Sequence, residues 1–101
     1  MTYKDKSTRA EELARIGLEL AKESSYLKVT RDSVAEVAQV SRGTINFAIG
    51  GSDALRTAIV EQAVKDECVE VVAQALAHKH PAAQGAPDLL KARAAQLIAG
   101  M

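Results

Sequence analysis

The sequence has one cysteine, two prolines and no tryptophan, and its aromatic residues are two tyrosines and one phenylalanine. Each scarcity excludes something. The single Cys68 forms no internal disulfide, so a disulfide framework cannot stand in for a core. The prolines, Pro81 and Pro87, lie close together and leave the chain before them free of that helix breaker. Neither sign of charge is in excess, with 13 Lys plus Arg against 13 Asp plus Glu. A histone-like coat needs a large cationic surplus to release counterions, and a disordered tail needs a strong charge bias. Both are excluded, and any contact with nucleic acid has to be local. No run of 18 or more apolar residues and no signal-peptide layout occurs, so no membrane span is expected and the expected compartment is a reducing cytoplasm.

What is abundant is alanine. Of the hydrophobic residues, which make up 48% of the chain, 19 are Ala. The large apolar side chains form only a modest core, and a chain of 101 residues buries a limited share of its surface alone, so an oligomer is expected. Alanine, few prolines and apolar residues at helical spacing predict an all-α fold. A first helix is predicted from Ser7 or Thr8, where Thr8 and Glu11 match a capping box, to about Ser24 and Ser25. Leu13, Ile16, Leu20 and Ala21 form its stripe. Tyr26, Leu27 and Val29 then fill a short connection. Ser52 and Asp53 open a long fourth helix that the periodicity carries to Ala77, with Leu55, Ile59 and Ala63 on one face and Val60, Val64, Cys68, Val71 and Ala75 on another. Two apolar faces need two partners. The stretch from His78 to Pro87 reads as a linker, followed by a last helix from Asp88 to Ala99 with Leu90, Ala94, Leu97 and Ile98 as its stripe and Gly100 as its stop.

Between these segments, TRDSVAEVAQVSRGTINFAI departs from a long amphipathic helix. Thr30 caps a short helix to about Ala38, Ser41 caps a second to about Ile49, and only Gln39 and Val40 separate them. Ala35 is small where the pair must approach; Val34, Val37 and Ala38 are placed to meet Val40, Ile45 and Ile49. Two short helices joined in this way are the helix-turn-helix of DNA-binding proteins. The expected organisation is therefore a three-helix helix-turn-helix DNA-binding unit over 1–51 and a helical dimerisation extension over 52–101, within one compact domain.

In that motif the early, outward residues of the second helix reach base edges. Here they are Arg42, Gly43, Thr44, Asn46 and Phe47. Arg42 suits guanine or a phosphate, Thr44 a thymine methyl or a phosphate, and Asn46 adenine, while Gly43 permits close backbone approach. Lys28, Thr30 and Arg31 at the start of the preceding helix, and Ser52 at the start of the fourth, are placed to hold phosphates, and Ser41 before the second helix is a further candidate DNA contact. Each has a plainer alternative: Arg42 and Asn46 as solvated surface residues, Phe47 as core filling, Thr30 and Ser41 as caps only.

The segment KVTRDSVAEVAQVSRGTINFAIGGSDAL, with the helix before it, resembles the DNA-binding domain of the TetR family of bacterial transcriptional regulators over about Ala10 to Ala63. The VSRGT turn and the SDAL opening carry the likeness, and Gly43 and Thr44 match. The central twenty residues also resemble the LacI headpiece, but there the motif opens the chain. Gln39 stands where the family usually has Gly and is expected to take a positive φ. Phe47, Ala48 and Ile49 replace the usual tyrosine, histidine and phenylalanine, and Ser52 replaces a lysine, all positions that typically hold phosphates in the family. Relatives continue into a much larger ligand-binding and dimerisation domain, so the resemblance implies a short form with no small-molecule inducer. A homodimer is expected, paired through the second face of helix four and the Leu90 to Ile98 stripe.

No catalytic residue, metal site or cofactor is expected. Cys68 and His78 lie about 15 Å apart on a continuous helix, and His78 with His80 lack a third ligand nearby. The expectation is a homodimeric regulator, a repressor, bound to double-stranded DNA. The alternative is a protein-interaction module of the same fold that antagonises a host regulator or enzyme.

Overall fold

The computed structural model describes residues 6–100, with side chains from Thr8 onwards. Among these residues there are seven α-helices and no strand: α1 (Lys6–Glu23), α2 (Arg31–Ala38), α3 (Arg42–Ala48), α4 (Ser52–Lys65), α5 (Val69–Ala77), α6 (Pro81–Gln84) and α7 (Asp88–Ala99). A 3-10 turn, Tyr26–Lys28, links α1 to α2. None of the described helices is long and apolar enough to cross a membrane.

Helix α1 lies against α4. Leu13, Ala14, Leu18 and Ala21 are buried on its inner side, and Gly17 marks the closest approach. A Cβ at position 17 would stand 2.8 Å from Cδ1 and Cγ1 of the fully buried Ile59, so glycine is demanded there by packing. Thr8 lies inside α1, which corrects its expected role as the cap. A Thr and a Glu three residues apart fit a helix interior as well as a helix start, and here the helix continues through them. Ile16 and Leu20 are only partly buried, because the inner face is centred on Leu13, Gly17 and Ala21.

The long fourth helix does not exist as one piece. It stops after Lys65, and α5 begins at Val69. Glu67 takes φ 54°, its N–H donates to Val64 O, and the Cys68 N–H donates to Ala63 O at 2.8 Å. This pair of bonds around a left-handed residue is a Schellman stop. The same device ends α2 at Gln39, φ 59°, with Val40 N–H on Ala35 O, and ends α5 at Lys79, φ 56°, with His80 N–H on Ala75 O. The positive φ expected at Gln39 is thus observed. Glycine is absent from all three positions, so composition did not mark the stop at Glu67, whereas α5 ends at Ala77, where periodicity placed the end of the long helix.

The turn lets α5 fold back instead of running on. Val71, Val72, Ala73 and Ala75 are buried, and α5 packs against α7 through Leu90 and Ala94 while also touching α4. Both apolar faces expected to need a partner are therefore covered mainly within the chain. This corrects the dimer surface expected on the second face of helix four and the Leu90 to Ile98 stripe, whose Val71, Ala75, Leu90 and Ala94 are buried between α5 and α7 or α4. The predicted linker also holds a helix: the His80 Nδ1 accepts the Ala82 N–H at 3.1 Å, Pro81 occupies the first turn of α6, and Ala83 is buried. Ser52 is the first helical residue of α4, and its cap is Gly51 without a side-chain bond. Val37, expected in the α2–α3 contact, is 55% exposed, because Val34 and Ala35 already fill that side of α2.

Two outcomes follow. A non-glycine residue in the left-handed region costs about 1 kcal/mol, so Glu67→Gly is expected to raise the urea-unfolding free energy by up to about 1 kcal/mol. A loss of stability would show that Glu67 gains more from its side chain than it loses in its backbone. Tyr26 is buried, and that burial pushes its hydroxyl above the ordinary value of 10.0, against a smaller lowering by Arg56. The unfolded chain therefore releases this proton first, and stability falls as pH rises above about 10. Tyr26→Phe is expected to remove that part of the alkaline loss, read as unfolding midpoints across pH 8 to 11 in roughly half-unit steps.

Candidate nucleic-acid interface

The placement of α2 and α3 starts one element earlier. Ser25 caps the 3-10 turn through Leu27 N–H, and the turn buries Tyr26 and, just beyond it, Val29. Gln74 of α5 locks this turn from the other end of the chain. Its Oε1 accepts the Tyr26 backbone N–H at 2.9 Å, and its Nε2 donates to Ala21 O at 3.2 Å. The residue that fixes where α2 begins is thus on α5. Periodicity alone assigned Gln74 nothing; the available signal was a lone amide inside the apolar run VEVVAQALA.

Thr30 then caps α2 reciprocally. Its Oγ1 accepts the Ser33 N–H, and Ser33 Oγ accepts the Thr30 N–H, both at 3.0 Å. After the turn at Gln39, Ser41 Oγ accepts the Thr44 N–H at 3.2 Å and stands 3.2 Å from Thr44 Oγ1. Both expected caps are therefore present. Val34 and Ile45 are fully buried, and Ala35 and Ala48 nearly so, which seats the pair on α1.

Burial on one side of α3 decides what remains on the other. At about 100° per residue, Arg42, Asn46, Gly43 and Phe47 fall within an arc of about 140°. All four are exposed, with Ile45 and Ala48 buried opposite and Thr44 at the margin. Phe47, for which core filling was the alternative, is 73% exposed. A Cβ at Gly43 would meet only Ser41 Oγ, at 3.6 Å, so packing within the protein does not require glycine there.

Two polar braces cross from α2 to this arc. Arg31 Nη1 donates to Asn46 Oδ1 at 2.7 Å, and Arg42 Nε lies 3.2 Å from Asp32 Oδ1. Consecutive residues at the start of α2 thus hold two residues one turn apart on α3. The first brace sets the Asn46 amide: its oxygen faces the guanidinium, so its NH2 is directed away. The second is an ion pair between side chains 56% and 73% exposed, without a directed hydrogen bond, and it adds little stability while placing a carboxylate beside the guanidinium. Asp32 was not singled out by the sequence, because a carboxylate in a first helical turn is sufficiently explained by the helix dipole. Lys28 and Thr30 are exposed and Arg31 half-buried beside the arc, whereas Ser52 stands apart from it beyond Gly50 and Gly51.

The arrangement presents a convex helix surface with guanidinium, amide, backbone and aromatic groups, which suits the edges of bases in a groove more than a small molecule. A concavity lies elsewhere. It is an open groove of about 640 Å³ between α1, α4 and α6, lined by alanines with Glu11, Glu61, Gln62 and Lys65. No group of three or more His, Cys, Asp or Glu that could hold a metal occurs among the described residues. Replacing Gln74 by Leu leaves the Tyr26 N–H and one bond to Ala21 O unmade, with an expected loss of about 1–3 kcal/mol in chemical unfolding. A neutral result would mean that water satisfies both groups. No family model, curated protein or solved structure matches this chain.

Proposed function

We propose that this chain is a sequence-specific DNA-binding transcriptional regulator, a helix-turn-helix protein of TetR type that binds a palindromic operator as a homodimer and represses by occluding a promoter. The observation that carries this reading is the outward arc of α3. Its residues are of the types that read the major groove, and the helix behind them is anchored by Ile45, Ala48 and the two braces from α2. Gly43, which the protein's own packing does not need, gives a DNA backbone or base room to approach. In this reading α3 is the recognition helix, and Arg42, Thr44, Asn46 and Phe47 face the bases. Lys28, Thr30, Arg31 and Ser41 contact phosphates on one side and Ser52 on the other. The resemblance of the segment from Lys28 to Leu55 to TetR DNA-binding domains supports the same assignment. Leu89 and Leu97, exposed on one side of α7 with Arg93 between them, offer an apolar strip for the second copy. A two-fold pair then presents two recognition helices to half-sites about one helical turn apart.

A second reading draws on the apolar side chains of the same surface. Val37 and Phe47, 55% and 73% exposed, suit a protein partner, and would make the chain a module that antagonises a host regulator or enzyme. A stoichiometric protein co-purifying from lysate, with no DNA preference, favours it.

Selection from random duplexes at low salt is expected to enrich a two-fold symmetric sequence, with a solution mass twice that of the 10.7 kDa chain. Binding should weaken steeply as salt is raised, and Arg42→Ala should cost about 1–3 kcal/mol at the selected site. A selection that returns no preferred sequence refutes the regulator reading.

A further inference from the structure

We propose that Arg42 reads a guanine base in the major groove and that Asp32 is the residue that positions it to do so. The inference rests on the DNA-binding reading and goes beyond it by naming the base and the positioning residue. Asp32 Oδ1 stands 3.2 Å from Arg42 Nε as an ion pair, on the side of the guanidinium away from its two terminal nitrogens. The two terminal guanidinium nitrogens remain, and their fork matches the O6 and N7 acceptors of guanine. Without a brace, a side chain with this many rotatable bonds samples phosphates and bases alike. With it, a carboxylate 73% exposed stands beside the guanidinium and repels a phosphate, whereas the guanine edge is neutral. The neighbouring reader agrees. Asn46 gives its oxygen to Arg31 at 2.7 Å and turns its NH2 outward, so Arg42 and Asn46 together present donors. Among the purine and pyrimidine edges of the major groove, guanine offers two acceptors and no donor, while the amino groups of adenine and cytosine require an acceptor from the protein. The adenine contact expected of Asn46 thus gives way to a donor contact beside a guanine.

The test uses the full chain and the duplex enriched by selection, with each base pair of a half-site varied in turn. The wild type is expected to prefer guanine at one position by about tenfold or more. Arg42→Lys keeps the charge without the fork and should abolish that preference. Asp32→Asn, an exposed substitution whose folding is checked by circular dichroism, should lower it several-fold and steepen the salt dependence, as the freed guanidinium turns to phosphate, while leaving the preferences at the other positions unchanged. Lys28→Ala should instead weaken all duplexes alike. If Asp32→Asn tightens binding to every duplex and keeps the guanine preference intact, Asp32 is only a repulsive surface charge and the proposal is overturned. A wild type with a clear preferred sequence that Arg42→Lys does not alter overturns it while the DNA-binding reading stands. A wild type without any preferred sequence removes both.

Discussion

A helical segment that carries apolar residues on two faces has to be covered twice, and this chain covers both by turning at Asp66 to Cys68. The turn divides the segment into α4, which lies on α1, and α5, which returns to hold α7. Everything downstream depends on it. Only because α5 comes back does Gln74 reach the end of α1 and the turn before α2, joining groups 53 and 48 residues apart in sequence. Helices α2 and α3 are thereby seated from both ends of the chain, although their own buried residues are only Val34, Ala35, Ile45 and Ala48.

The parts of this architecture legible in the sequence were those set by local hydrogen bonding. Thr30 and Ser41 announced α2 and α3 because a hydroxyl before an apolar run satisfies free N–H groups whatever surrounds it. The bounds of α7 were legible from Pro87, which has no N–H to continue a helix backwards, and from Gly100. The break at Glu67 was not legible, since a left-handed residue normally advertises itself as glycine and here is a glutamate held by two backbone bonds. The periodic pattern ran through the break undisturbed, because Val60, Val64, Val71 and Ala75 are apolar on either side of it. Similarly, His80 capped a helix inside what composition marked as a linker. The cap was invisible because histidine is not among the usual capping residues.

The candidate surface divides in the same way. The identity of the exposed residues on α3 followed from its period once Ile45 was placed inward. Their orientation did not, because Arg31–Asn46 and Asp32–Arg42 join residues 15 and 10 positions apart across a turn whose geometry is set at Gln39. A propensity argument assigns Asp32 to the dipole of α2 and stops there. The structure gives the same carboxylate a second neighbour, and the two roles are compatible, since a first-turn side chain points back beyond its own helix.

These braces also bear on the absence of net charge. On the proposed reading, a protein with an unpaired cationic surface binds any duplex, and its selectivity has to rise above that background. Here Arg42 carries its own counter-charge in Asp32, whereas Arg31, held on the neutral Asn46 amide, keeps its charge for a phosphate. The charge that would attract phosphates indiscriminately is partly neutralised before DNA arrives, and what remains available is the directional edge of each group. Low non-specific affinity is then a consequence of the same contacts that orient the readers. On this reading a balanced composition and a sequence-reading helix are not in conflict: the acidic partner Asp32 lowers the background, and the outward donors supply the preference.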